Sequence, residues 1–229
     1  MNFFDDLVKE VNECLEGREQ KAYLLGKPWQ DAGRNEVILK RDTEYELDGI
    51  GFNLVSSLPV GESRVVVIGP ELNQIKDEAR YCRISLIQID DVDDEQTAYN
   101  LIRKVEYAKY HYFPKGFMVR TASTSHKEMV RVSKSALKEG LSFEGVGNLL
   151  VNKYLENKAV RAVKLIYIAD QSVDFDRLEK ISSRNYAITE TLNHIMTNVN
   201  FDCSTCNLKP VCDEVEGMKE LHFKNAKMH

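Results

Sequence analysis

Residues 160–170, VRAVKLIYIAD, carry the strongest strand signal in the chain. The run is nearly continuous in apolar and β-branched residues, the pattern of a strand covered on both faces. RVVVIGP at 64–70 is a second run of this type, closed by Gly69-Pro70, and RISLIQI at 83–89 alternates as a third strand does. Shorter strand-like runs fall at Glu36–Lys40, Phe52–Ser57, Gly116–Thr121 and Glu128–Val132. LPVG (58–61) separates Phe52–Ser57 from the run at 64–70, and the polar link ASTSHK (122–127) separates the last two. Helices are expected between them. Residues 3–16 put Phe3, Phe4, Leu7, Val8, Val11 and Leu15 on one face, with Gly17 placed to stop the helix. A helical stretch is read at Leu72–Tyr81. Asp93 with Gln96 opens another that runs to about Tyr110. Ser133 and Ser142 cap two more, the second carrying Val146, Leu149, Leu150 and Tyr154 on one face. Gly26–Arg34, with a Pro, two Gly and the only Trp, reads as a loop. This alternation gives an α/β class (α+β is the alternative), with a mixed sheet flanked by helices.

Composition bounds the function. The chain has 229 residues, 43% of them apolar and 29% charged, with a net charge of −5. Roughly 70% of the unfolded surface of a chain this long can be buried, so disorder, collagen and a disulfide miniprotein are excluded. No apolar run reaches the length of a membrane span, and a mildly acidic chain is a poor counterion for nucleic acid. The N-terminal MNFFDDLVKE is acidic where a signal peptide is basic, so a cytoplasmic protein is expected.

Beyond Asp174 the periodicity changes. Leu178, Ile181, Asn185, Ile188, Leu192, Ile195 and Val199 follow steps of three and four, as in a long helix. It either lies on the sheet or pairs with a second copy, a homodimer through 178–199 with Asn185 setting the register.

Three of the five cysteines crowd into FDCSTCNLKPVC, with the spacing Cys203-x2-Cys206-x5-Cys212. An odd number of cysteines argues against a disulfide framework. Thiols this close suit a metal whose ligands converge on one point. His222 is the nearest candidate fourth ligand, and Cys82, Cys14 or solvent are the competitors. The set fits a [4Fe–4S] cluster or zinc, and the missing second C-x2-C knuckle favours iron–sulfur. Arg120, Lys127, Arg131 and Lys134 form a basic stretch, read as a solvent-facing strand edge. Nucleotide-binding, serine-hydrolase and zinc-protease motifs are missing from the sequence.

VVVIGPELNQI (65–75), YHYFPKGFMVRT (110–121), MVRVSKSALKEGLSFEGVGNLLVNKYLE (129–156) and AVKLIYIAD (162–170), preceded by RDTEYELDGIGFNLVSS (41–57), resemble the central domain of acetyl-CoA synthase. That enzyme is the β subunit of the carbon monoxide dehydrogenase/acetyl-CoA synthase complex. The likeness spans roughly residues 41 to 223 in the same order. In the family this domain leads into a domain where four cysteines hold a [4Fe–4S] cluster. The resemblance implies that Cys203, Cys206 and Cys212 match three of them and that His222 falls where the fourth would be. Met118 stands where the family has an aromatic residue associated with coenzyme A binding. The sequence to His229 contains no Cys-Gly-Cys motif of the kind that holds nickel in the family, and no counterpart of the N-terminal domain that contacts carbon monoxide dehydrogenase.

The resemblance therefore implies an anaerobic, Wood–Ljungdahl-associated β-subunit-like protein with an iron–sulfur site and no nickel. Its role is accessory (electron transfer, assembly or regulation) rather than that of a complete synthase. Its partners would be components of the complex or ferredoxin. The alternatives are a zinc-stabilised protein-interaction module, or a paralogue retaining coenzyme A or acetyl binding. The domain reading is an N-terminal helix and loop (1–40), the synthase-like α/β domain (41–172), a long helix (173–200) and a Cys-rich metal-binding tail (201–229).

Overall fold

A computed structural model describes residues 3–92, 94–121, 126–196, 210–212 and 214–215. Among them, seven strands form one mixed sheet in the order β1-β3-β7-β4-β2-β6-β5. The strands are β1 (Lys21–Leu24), β2 (Thr43–Ser56), β3 (Arg64–Ile68), β4 (Ala79–Ile89), β5 (Phe117–Thr121), β6 (Lys127–Ser133) and β7 (Val160–Ile168). The apolar run VRAVKLIYI, β7, lies inside the sheet, parallel to β3 and antiparallel to β4. β2 runs parallel to β4 and antiparallel to β6. The result is the α/β class with a mixed sheet flanked by helices.

Side chains alternate between the two faces of a strand, and this sorts the helices. Tyr154 of α4 (Phe143–Leu155) donates to Asn53, and Gly147 lies against Val65 and Tyr167, so α4 covers one face. Phe52, the neighbour of Asn53, stacks on His126, which meets Ser182 and Asn185 of α5 (Phe175–Met196). Helix α5 therefore covers the opposite face, joined there by α1 (Asp5–Cys14). α2 (Glu95–Ala108) touches both α4 and α5, and the short α3 (Lys134–Lys138) follows β6. Ser133 and Ser142 cap α3 and α4, accepting from Ala136 and Gly145. Gly17 ends the first helical segment at φ +71°.

Several sequence expectations are corrected. Glu36–Lys40 is not a strand: Val37 and Leu39 point outward and Ile38 inward, but the Ile38 carbonyl is taken by the Arg131 guanidinium and no strand pairs with the segment. Leu72–Tyr81 is not a helix. Only Leu72–Gln74 forms a 3-10 turn, capped by Glu71, and Ala79–Tyr81 pairs with Leu47–Gly49. Strand pairing outweighs the local helical periodicity there. β1 went unread because it is an edge strand with little burial and no apolar alternation. Asp93 lies outside the described residues, and Asp94 caps α2 by accepting from Thr97 N at 2.8 Å.

The homodimer through 178–199 is also corrected. Leu178, Ile181, Asn185, Ile188 and Leu192 are buried within this single chain, between α5, the sheet and α1, so that face is occupied; Val199 lies outside the described residues. The basic stretch is partly neutralised, with Arg131 paired to Glu46 at 2.7 Å and Lys134 to Glu44 at 3.9 Å.

Candidate functional site

Of the proposed metal ligands, the structure places Cys212; Cys203, Cys206 and His222 lie outside the described residues. Cys212 is a free thiol, partly exposed, whose Sγ lies 3.8 Å from the hydroxyl of Thr191 on α5. Val215, fully buried, fixes this segment to the core. A free, accessible thiol is a suitable thiolate ligand for iron or zinc. Among the described residues there is no group of three His, Cys, Asp or Glu side chains able to hold a metal.

Two of the competing fourth ligands, Cys82 and Cys14, lie among the described residues as free thiols. Cys82 is fully buried on β4, and burial drives its thiol pKa well up, with Glu128 adding to the shift, against thiolate formation. Its charged neighbours include Glu179, and those of Cys14 include Arg177 and Asp174. Cys212 meets Thr191. Glu179 and Thr191 stand twelve positions apart on α5, about 18 Å at the α-helical rise.

A second constellation lies inside the fold. Arg83 and Glu128 form an ion pair with side chains only 3% and 2% exposed, Nη2 to Oε1 at 2.5 Å. Arg83 Nη1 also donates to Asn53 at 3.1 Å and to Ser85 at 2.9 Å. The room for this pair comes from glycine: a Cβ on Gly51 would lie 1.9 Å from the Glu128 carboxyl carbon. Two residues earlier, a Cβ on Gly49 would lie 1.7 Å from the Tyr81 carbonyl oxygen.

Beside this pair, Glu106 and Lys109 form another at 2.8 Å, with side chains 17% and 7% exposed. Burial pushes the Glu106 carboxyl up, but Lys109, His126 and Asn53 together hold it below its ordinary value. Glu106, Lys109 and His126 floor a cleft of about 610 Å³ between α2 and α5. The His126 Nδ1 lies 3.3 Å from Ser182 Oγ and 3.4 Å from Asn185 Nδ2.

Burial, followed by the charge of Lys109, lowers the His126 pKa to about 4. In the unfolded chain the imidazole returns to about 6.5. Between these values the unfolded chain binds a proton that the folded chain does not. Stability is therefore full above pH 6.5 and falls as the pH drops toward 4, by about 3 kcal/mol in total. Urea midpoints at pH 7 and pH 4.5 will measure this slope, and His126→Gln is expected to flatten it. An unchanged slope in the variant would show that other groups cause it.

These interior groups were not singled out from the sequence; Arg83, set between Cys82 and Ile84 in the run that forms β4, was the available signal. Direct sequence comparison with curated proteins gives no match. A family model described as the CO dehydrogenase/acetyl-CoA synthase complex beta subunit matches residues 32–173. That interval runs from the loop before β2 through β7, and so contains the buried Arg83–Glu128 pair, α2 and α4. With more than half of its length matched and the α/β sheet in place, the chain belongs to the CO dehydrogenase/acetyl-CoA synthase complex beta subunit family.

Proposed function

We propose that this chain is an acetyl-CoA synthase β-subunit-like protein that carries one [4Fe–4S] cluster on Cys203, Cys206, Cys212 and His222. Its role is accessory: electron transfer, assembly or regulation among the cytoplasmic, anaerobic enzymes of the Wood–Ljungdahl pathway. The observation that carries the reading is the seating of Cys212 against Thr191 on α5, a helix that itself packs on β2 of the family-matched region. A cluster bound there would supply one-electron chemistry, and the residues around it would set its exposure and potential. The 229 residues include no Cys-Gly-Cys motif, so nickel chemistry is not assigned to them. As a member of a complex-forming family the chain has protein partners, proposed to be components of that complex or a ferredoxin. No helix among the described residues is long and apolar enough to cross a membrane.

Protein purified without oxygen is expected to contain iron and acid-labile sulfide, with broad absorption near about 400 nm. Cys212→Ser is expected to lose most of that iron. His222→Ala is expected to retain less metal or to shift the reduction potential, because a histidine ligand raises it. Colourless protein holding one zinc per chain would move the assignment to the second reading, a zinc-stabilised interaction module favoured by the same thiol set.

A further inference from the structure

The cleft between α2 and α5 has the features of a small-molecule site. Its volume, about 610 Å³, falls in the range of ligand pockets. Its walls are aromatic: Tyr99 and Tyr107 from α2, Tyr110 just beyond it, and Tyr186 from α5. One end is tied across the two helices, where the Tyr99 hydroxyl donates to Asn193 Oδ1 at 2.6 Å. The other depends on His126, packed edge-on against Tyr186 with the ring centroids 5.5 Å apart.

The polar groups fix the sign of the ligand. Arg103, Lys104 and Lys109 line the cleft against Glu106 and Glu190, leaving one excess positive charge. Glu106 is already committed to Lys109, whose ammonium has three donors, so two remain. Arg103 lies over the Tyr99 ring at 5.6 Å and has no carboxylate partner among the described residues. The His126 ring is neutral at pH 7. Its Nδ1 faces the Asn185 amide and the Ser182 hydroxyl, both able to donate. The tautomer that accepts at Nδ1 carries its proton on Nε2, which becomes a donor. An apolar, ring-lined volume with an excess cation and an imidazole donor on its floor is complementary to an aromatic ring bearing one acidic group.

We propose that this cleft binds a small aromatic monocarboxylate, its ring between the tyrosines and its carboxylate on His126 and Lys109, with Arg103 at the rim. The site is independent of the cysteine cluster and of the role proposed for it. The test uses three probes of one shape at pH 7 on the full chain: 2-naphthoate, the neutral 2-naphthamide and the cationic 2-naphthylmethylammonium, each titrated by calorimetry. Naphthoate is expected to saturate at one per chain, and the other two to bind at least about tenfold more weakly. His126→Phe, which removes the donor, is expected to weaken naphthoate about tenfold or more, whereas His126→Gln, which keeps one, stays within about threefold. Should His126→Phe fail to fold, the exposed substitution Arg103→Gln serves: it must weaken naphthoate and leave naphthamide unchanged. Equal binding of the three probes, no saturable binding of naphthoate, or naphthoate binding indifferent to both substitutions would each overturn the proposal.

Discussion

Arg83→Leu is expected to destabilise the fold by about 3–5 kcal/mol, because it strands the Glu128 carboxylate in the interior. The pair is among the least exposed of the described residues, and Arg83 is also the hydrogen-bond donor to Asn53 and Ser85. For a chain of this size the loss corresponds to a Tm drop of at least about 6 °C. The double variant Arg83→Leu/Glu128→Leu removes both charges and is expected to recover much of the loss, as replacement of whole buried pairs by apolar residues often does. Chemical denaturation of the wild type, the single variants and the double variant closes the cycle. A single variant within about 1 kcal/mol of wild type would mean that water reaches the pair.

A larger effect is expected from a single methyl group. In Gly49→Ala the new Cβ would lie 1.7 Å from a backbone carbonyl oxygen of the parallel neighbour β4, and a backbone atom cannot rotate away as a side chain can. The strands must separate, at a cost above about 4 kcal/mol, and little soluble protein is expected. Gly17→Ala is the control. That glycine has φ +71° but nothing within 4 Å of the added atom, so only the left-handed backbone penalty of about 1–2 kcal/mol applies. If the two variants melt at the same temperature, the close approach of β2 and β4 is not what fixes glycine at position 49.

Most of the scaffold was readable because its signals are local. RVVVIGP became β3 with the expected bounds, and Ser133 and Ser142 cap the helices they were read to cap. The face Leu178, Ile181, Asn185, Ile188, Leu192 is buried along α5, but periodicity does not say against what, and here it is the chain's own sheet. The errors fall where partners at long sequence range decide. Ala79–Tyr81 became strand because Leu47–Gly49 was waiting for it, while EVILK meets no strand partner among the described residues and its Ile38 carbonyl accepts from Arg131. The cysteine spacing was legible as a motif. The cleft was not, since His126, Lys109 and Tyr186 are scattered through the sequence and only the fold brings them together.

The position of β7 has a consequence for how the chain is made. β3 and β4 follow each other closely in sequence, yet β7, some seventy residues later, lies between them and bonds to both. A growing chain on the ribosome thus carries two apolar strands with unsatisfied inner edges until residue 168 has emerged. Unpaired edges of this kind template aggregation. Those edges stay open from the completion of β4 at residue 89 to that of β7 at residue 168, and the sheet closes as a late, single insertion rather than growing outward strand by strand.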